Sequence, residues 1–195
     1  MGRPKLLLPW RTGTIIEAVL ATWRASRVTS VVAVIDPRDV ELAALCRSCG
    51  VEVVVPNEPP VDMKASVALG LAHCRTRFTP RPSDAWLLAP ADMPTLPTAV
   101  IDLLLAEHAA QAEAAPLADK TASILIPAYA GERGHPVLLP WSLADEVTQL
   151  GPDEGINALV ERHPVREIPW PDRSILEDLD NPDDYENLRR RYDCS

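Results

Sequence analysis

Apolar positions along the chain recur at two spacings, and these sort most of it into helices and strands. From Thr12 to Ser26, Ile15, Ile16, Val19, Leu20 and Trp23 fall at the spacing of a helix with one buried stripe. Thr12 or Thr14 is placed to cap it, and Glu17 to complete a capping box. Residues 28–36 (VTSVVAVID) form a nearly unbroken β-branched run, which predicts a strand covered on both faces. Pro37 opens a second helix with Val40, Leu42, Leu45 and Cys46 inward, and Gly50 suits the left-handed position after its end. Val51 to Val55 reads as a short buried strand. Strand–helix–strand units of this length imply parallel pairing through right-handed crossovers.

After the loop from Pro56 to Asp62, a helix is expected over Met63–Arg77, with Lys64, Ser66 and Gly70 in its early turns. Asp84 to Ala89 (DAWLLA) is a further buried strand stopped by Pro90, and a helix runs from about Pro97 to Ala114 with Val100, Ile101, Leu104 and Leu105 inward. Ser123–Pro127 and Val137–Leu139 read as strands. Short helices at Ser142–Val147 and Ile156–Arg162 flank a loop at Gly151–Gly155, and Val165–Ile168 reads as an edge strand. Asn181 caps a closing helix through Tyr192, with Pro182 at its first position. No internal repeat or low-complexity tract interrupts this order, so the 195 residues are expected to form a single α/β domain, 1–195.

Composition narrows the function classes. A net charge of −9 argues against a general nucleic-acid binder, although a few local cations and a metal still allow an anionic nucleotide. No apolar run is long enough to span a bilayer and no signal-like segment follows the N-terminus, so a cytoplasmic protein with no membrane partner is expected. Cys46 and Cys49 have redox or zinc spacing, but they sit at a helix end with no second pair, and buried reduced thiols are the simpler reading. The 20 prolines are scattered and punctuate element ends.

Three places have the right residues for chemistry. The N-terminal MGRPKLLLPW joins a glycine and two cations, and Lys5 is one of only three lysines. It reads either as part of a polyphosphate site or as a basic terminus. Asp92 follows a buried strand, where open parallel sheets bind ligands, and serves either as a Mg²⁺ ligand or as the cap of the next turn. Asp178 and Asp180 point the same way in extended chain, as metal carboxylates or as a solvated acidic loop. Gly134-His135-Pro136 sets a polar ring at a strand start, or forms an ordinary tight turn. His73, His108 and His163 have no partners at catalytic spacing and read as structural.

Taken in order, MGRPKLLLPW, Asn57…Ser66…Gly70, Asp92-Met93-Pro94, Gly134-His135-Pro136-Val137 and DLDNPDDY (178–185) resemble the MobA-like NTP transferase family, and within it the molybdenum cofactor cytidylyltransferase branch. The likeness covers essentially the whole chain. It implies a three-layer, Rossmann-like, mostly parallel sheet of the glycosyltransferase-A type, and transfer of a nucleotidyl group from an NTP to a phosphate with release of pyrophosphate. By the same likeness, Gly2, Arg3 and Lys5 contact the triphosphate, and Asn57 and Ser66 border the base and ribose. Lys5 and Asp92 are the catalytic pair. Asp92, Asp178 and Asp180 hold Mg²⁺, and Gly134 and His135 line the entry of the acceptor. Such chemistry needs positioning and charge neutralisation more than a protein nucleophile.

The family pattern has a strand and a glycine-rich A-A-G-x-S-x-R loop directly before the segment that opens this chain, so the usual first strand and most of that loop are expected to be missing. Asp62 stands where a glycine is usual, and residues 153–157 depart from a glycine–arginine run. The expected reaction is transfer of CMP, in preference to GMP, to the molybdenum–pterin cofactor, with a molybdoenzyme or its chaperone as a partner downstream. The base preference rests on KLLLPW, since the guanylyl branch places an aspartate before this lysine. The alternatives are a sugar or polyol phosphate acceptor, and a non-catalytic member that binds nucleotide or cofactor.

Overall fold

A computed structural model describes residues 4–114 and 123–192. The chain enters through a single 3₁₀ turn, Lys5–Leu7, and a two-rung antiparallel ribbon of β1 (Pro9–Trp10) and β2 (Gly13–Thr14). Helix α1 (Ile15–Ala25) starts on the expected capping box. Glu17 N donates to Thr14 Oγ1 at 3.4 Å, and Thr14 N donates to Glu17 Oε2 at 2.8 Å. β3 (Val32–Val34) and β4 (Glu52–Val54) pair in parallel across helix α2 (Val40–Ser48), and Gly50 takes the left-handed conformation, φ 73°, that the tight exit from α2 requires.

Helix α3 (Met63–Phe78) starts on Asp62, whose carboxylate accepts from Ala65 N at 2.7 Å. β5 (Ala85–Leu88), α4 (Thr98–Ala114), β6 (Ile124–Tyr129), β7 (Glu132–Arg133), β8 (Val137–Pro140), α5 (Asn157–Arg162), β9 (Val165–Pro169) and α6 (Pro182–Tyr192) complete the order. The helix expected at 142–147 is replaced by two 3₁₀ turns, Trp141–Leu143 and Glu146–Gln149. Among the described residues, no helix is long and apolar enough to cross a membrane.

The larger sheet runs β5-β8-β6-β7, with β9 also on β6. It is mixed rather than mostly parallel. β8 lies antiparallel between β5 and β6, in register Leu88↔Val137 and Leu125↔Leu138, while β6 and β9 are parallel. Only residues 130–136 separate β6 from β8, too few for the crossover that a parallel neighbour needs. The β-branched run at 28–36 contributes only three ladder residues, all half-buried, because β3 pairs only with β4 among the described residues.

Alternate residues of the larger sheet face two helical layers. Ile124, Ile126, Trp86 and Leu139 pack against Leu71 of α3 and the segment through Leu159, while Leu125 and Leu138 pack against Leu104 of α4. α1 lies beside α4 and also covers Ile35 after β3, so it joins the two sheets into one three-layer body. The carboxyl ends of β5 and β6 therefore open on the side where the N-terminal turn and the segment before α6 arrive.

Candidate active site

Asp92 stands four residues beyond β5, and its loop is anchored by Met93 and Leu96, which are 1% and 3% exposed in the core with Val100 and Ile175. Lys5 is held by the N-terminal turn, where Leu7 N donates to Pro4 O at 3.0 Å and the Leu7 side chain is buried beneath it. These two anchors bring together residues 87 positions apart: Lys5 Nζ donates to Asp92 Oδ2 at 2.6 Å. The other carboxylate oxygen, Asp92 Oδ1, is buried without a hydrogen-bond partner.

The segment from Glu177 to Asn181 is pinned on both sides. Leu179, 1% exposed, inserts among Trp10, Ile15, Val19 and Tyr185. The period of two in extended chain therefore sends both Asp178 and Asp180 to the exposed side. Tyr185 Oη donates to Pro9 O at 2.6 Å, fastening α6 to the strand that follows Lys5. Asn181 caps α6, accepting from Asp184 N at 3.0 Å and donating its own N–H to Asp184 Oδ2 at 3.1 Å. Partial burial raises the Asp178 pKa, and the neighbouring Asp180 and Asp92 carboxylates add to it.

His135 completes the cluster. Gly134 is needed for close approach, since a Cβ there would lie 2.4 Å from Ile175 O. Gly134 N donates to Pro127 O and His135 N to Ile175 O, both at 2.8 Å, stitching this loop to the segment that leads to Asp178. Burial lowers the His135 pKa, against the Leu88 backbone and the carboxylates of Asp178 and Asp92, which favour the charged ring. Its Nδ1 is buried and unpartnered. A cleft of about 280 Å³ opens beside Lys5, with Leu8, Ile15, Leu179 and Tyr185 as its apolar wall and Asp180 and Asn181 at its polar rim.

Lys5, Asp92, His135 and Asp178 thus form one cluster, with Asp180 beside it. Asn57 and Ser66 belong to the segment that follows β4. Asn57 is exposed on the loop after β4, and Ser66 Oγ donates to Asp62 O at 3.3 Å within the first turns of α3. Neither forms a hydrogen bond or ion pair with the cluster among the described residues. Gly2 and Arg3 lie outside the described residues.

Three histidines have structural partners: His73 meets Glu52 at 3.2 Å, His108 meets Ser83 O at 3.1 Å and His163 meets Glu146 at 2.8 Å. Burial pushes the Cys46 thiol up to about 11 and raises Cys49 and Cys74 as well, so all three stay protonated and inert near neutrality.

Sequence reasoning missed Glu177. It is 6% exposed, ion-paired with Arg191, and accepts from Tyr192 Oη at 3.1 Å. The only hint was an acidic residue just before D-L-D in a chain whose last helix ends in arginines.

Among the described residues, no three His, Cys, Asp or Glu side chains converge as a ready-made metal site. The donors present nevertheless fit a hard divalent cation. Asp92 Oδ1 is an orphaned acceptor, and the repulsion felt by Asp178 is what a cation would relieve. Such ions commonly take one or two protein carboxylates and complete their shell with phosphate and water.

The MobA-like NTP transferase domain matches residues 1–167. The chain belongs to this family, and it is a nucleotidyltransferase. Its fold is also that of solved relatives. Rv0371c from Mycobacterium tuberculosis is 28% identical, with a TM-score of 0.76 over 97% of this chain and 91% of that one. The same protein solved as a complex with manganese gives 0.71 at 28% identity, over 97% and 93%. Molybdopterin-guanine dinucleotide biosynthesis protein A from Archaeoglobus fulgidus shares the fold at 20% identity and a TM-score of 0.68, over 100% and 93%. No curated protein sequence matches significantly.

Proposed function

We propose that this nucleotidyltransferase moves CMP, in preference to GMP, from an NTP to the phosphate of the molybdenum–pterin cofactor and releases pyrophosphate. The observation that carries the reading is the Lys5–Asp92 pair, one ammonium and one half-orphaned carboxylate at the carboxyl end of β5. An oxygen of the acceptor phosphate forms the new bond to the α-phosphorus. The bond from that phosphorus to the bridging oxygen of the β-phosphate breaks, and its electron pair leaves with pyrophosphate.

Lys5 supplies a mobile positive charge for the triphosphate once it leaves Asp92, and its exposed half gives it room to do so. Asp92, with Asp178 and Asp180, would hold Mg²⁺ or Mn²⁺, which when bound offsets the charge building up on the phosphate oxygens. Asn57 and Ser66 border the nucleoside end, and Gly2 and Arg3 extend the triphosphate contact. Gly134 and His135 shape the acceptor side, where the tight Gly134–Ile175 approach fixes the wall. The cytosine preference is supported by KLLLPW, in which Pro4 and not an acid precedes Lys5. A molybdoenzyme or its chaperone would receive the product.

The test is pyrophosphate release across the four NTPs, with molybdopterin and with sugar or polyol phosphates as acceptors. CTP with molybdopterin should give the highest kcat/KM, and Asp92→Ala should abolish release with the fold intact. Turnover confined to a sugar phosphate, or unchanged in Asp92→Ala, would overturn the assignment.

A further inference from the structure

Two buried atoms able to ligate a cation form no hydrogen bond among the described residues, and they lie on adjoining loops. One is Asp92 Oδ1 and the other is His135 Nδ1. The β5–β8 register explains why they share one end of the sheet. Leu88 pairs with Val137, so in the antiparallel ladder the residue two before Val137 arrives beside the chain just beyond Leu88, on its way to Asp92. The backbone that carries the ring is held in place. Backbone bonds from Gly134 to Pro127 and from His135 to Ile175, both 2.8 Å, fix the loop on either side. The Leu88 backbone and, more weakly, the carboxylates of Asp178 and Asp92 act on the ring, and Nδ1 itself forms no hydrogen bond.

A buried polar atom left unpaired costs about 1–3 kcal/mol. Two on adjoining loops are retained at a functional site when a ligand satisfies both. Neither atom forms a hydrogen bond with the chain among the described residues, and the ammonium of Lys5 is committed to the other oxygen, Asp92 Oδ2.

We propose that His135 Nδ1 and Asp92 Oδ1 are a nitrogen–oxygen donor pair for the divalent cation, and that this pair makes the centre prefer Mn²⁺ to Mg²⁺. The inference rests on the reading above that a cation binds at Asp92, and it moves His135 from the acceptor wall to the cation itself. Two protein donors suffice, because phosphate and water supply the rest. Imidazole is a softer donor that first-row transition ions accept, Mn²⁺ the most weakly of them, whereas Mg²⁺ takes oxygen donors and keeps its waters. Asp178 then balances charge next to the pair, which accounts for the repulsion it feels from Asp92 when no cation is bound.

The experiment uses the full chain with Mn²⁺, with and without CTP, and reads histidine-nitrogen modulation by electron spin-echo spectroscopy. Wild type should show a coupled imidazole nitrogen, and isotope-labelled histidine should shift the signal. His135→Gln should remove it and lower the Mn²⁺-over-Mg²⁺ preference about tenfold or more, while His108→Gln leaves both unchanged. Labelling of the wild-type protein decides the matter even if His135→Gln does not fold. Mn²⁺ that binds, is lost in Asp92→Asn and shows no nitrogen coupling would overturn the proposal and leave the nucleotidyl-transfer reading standing. Mn²⁺ binding that is absent, or indifferent to Asp92→Asn, would overturn this proposal together with the cation assignment beneath it.

Discussion

Replacing Lys5 by Met keeps most of the length of the side chain and removes only the ammonium, so it isolates what the Lys5–Asp92 pair does. At 2.6 Å the two charges attract by about 6 kcal/mol at an effective dielectric constant near 20. Lys5 is 41% exposed and Asp92 15%. Lost hydration and screening therefore reduce the net value to about 1 kcal/mol, or about fivefold in an equilibrium constant. A cation taking Asp92 Oδ1 in the free protein competes for the charge of the same carboxylate with that ammonium, which holds Oδ2. Lys5→Met should therefore tighten Mn²⁺ binding about fivefold when no nucleotide is present. Its effect on nucleotide should have the opposite sign, because a charge-assisted contact to phosphate worth about 1.5–3 kcal/mol is lost, weakening NTP binding roughly tenfold or more. Calorimetric titration of Mn²⁺ alone, then of CTP at saturating Mn²⁺, reads both signs on one protein. Mn²⁺ binding that is unchanged or weaker in Lys5→Met would show that the ammonium does not oppose a cation at this carboxylate.

Other perturbations probe the rest of the cluster. The raised Asp178 pKa means that the folded chain binds more protons than the unfolded one between the ordinary and the raised values, so across that window stability rises as pH falls. Asp178→Asn should accordingly raise the urea midpoint at neutral pH while weakening Mn²⁺ binding, and a lowered midpoint would contradict the repulsion assigned to it. Gly134→Ala places a Cβ 2.4 Å from Ile175 O and should cost about 2 kcal/mol or more in denaturant unfolding; full stability would mean the two loops can part freely. Glu177→Gln, facing Arg191 and Tyr192 from a 5% exposed side chain, should cost about 2 kcal/mol. Arg173→Ala, whose 68% exposed guanidinium is 3.8 Å from the same carboxylate, should be nearly silent, and equal losses in the two variants would remove Glu177's place as the anchor of the segment.

Much of the architecture was legible because its causes are local. The capping boxes at Thr14 and Asn181 close between residues three apart, and the left-handed turn at Gly50 follows from one missing Cβ. The period-two and period-3.6 patterns placed β5, β6, α1, α3 and α4 within a few residues of their ends. The position of Asp92 just past a buried strand also followed from order along the chain. Where the patterns misled, a neighbour that lies far off in sequence had intervened. The run at 28–36 yields a ladder of only three residues because the number of strands beside it is not written in its own residues.

The amino-acid order alone determined the family, the element types and a short roster of residues able to handle phosphate and metal. Tertiary structure decided which of them meet. Lys5 pairs with Asp92 across 87 residues, Leu179 turns both flanking aspartates outward, and Gly134 lets His135 reach the end of β5. The physical reason is that backbone hydrogen bonds and side-chain periodicity act between near neighbours. The distance between two charges depends on how the whole chain packs, and β8 running antiparallel between β5 and β6 is what brings His135 to the side of Asp92.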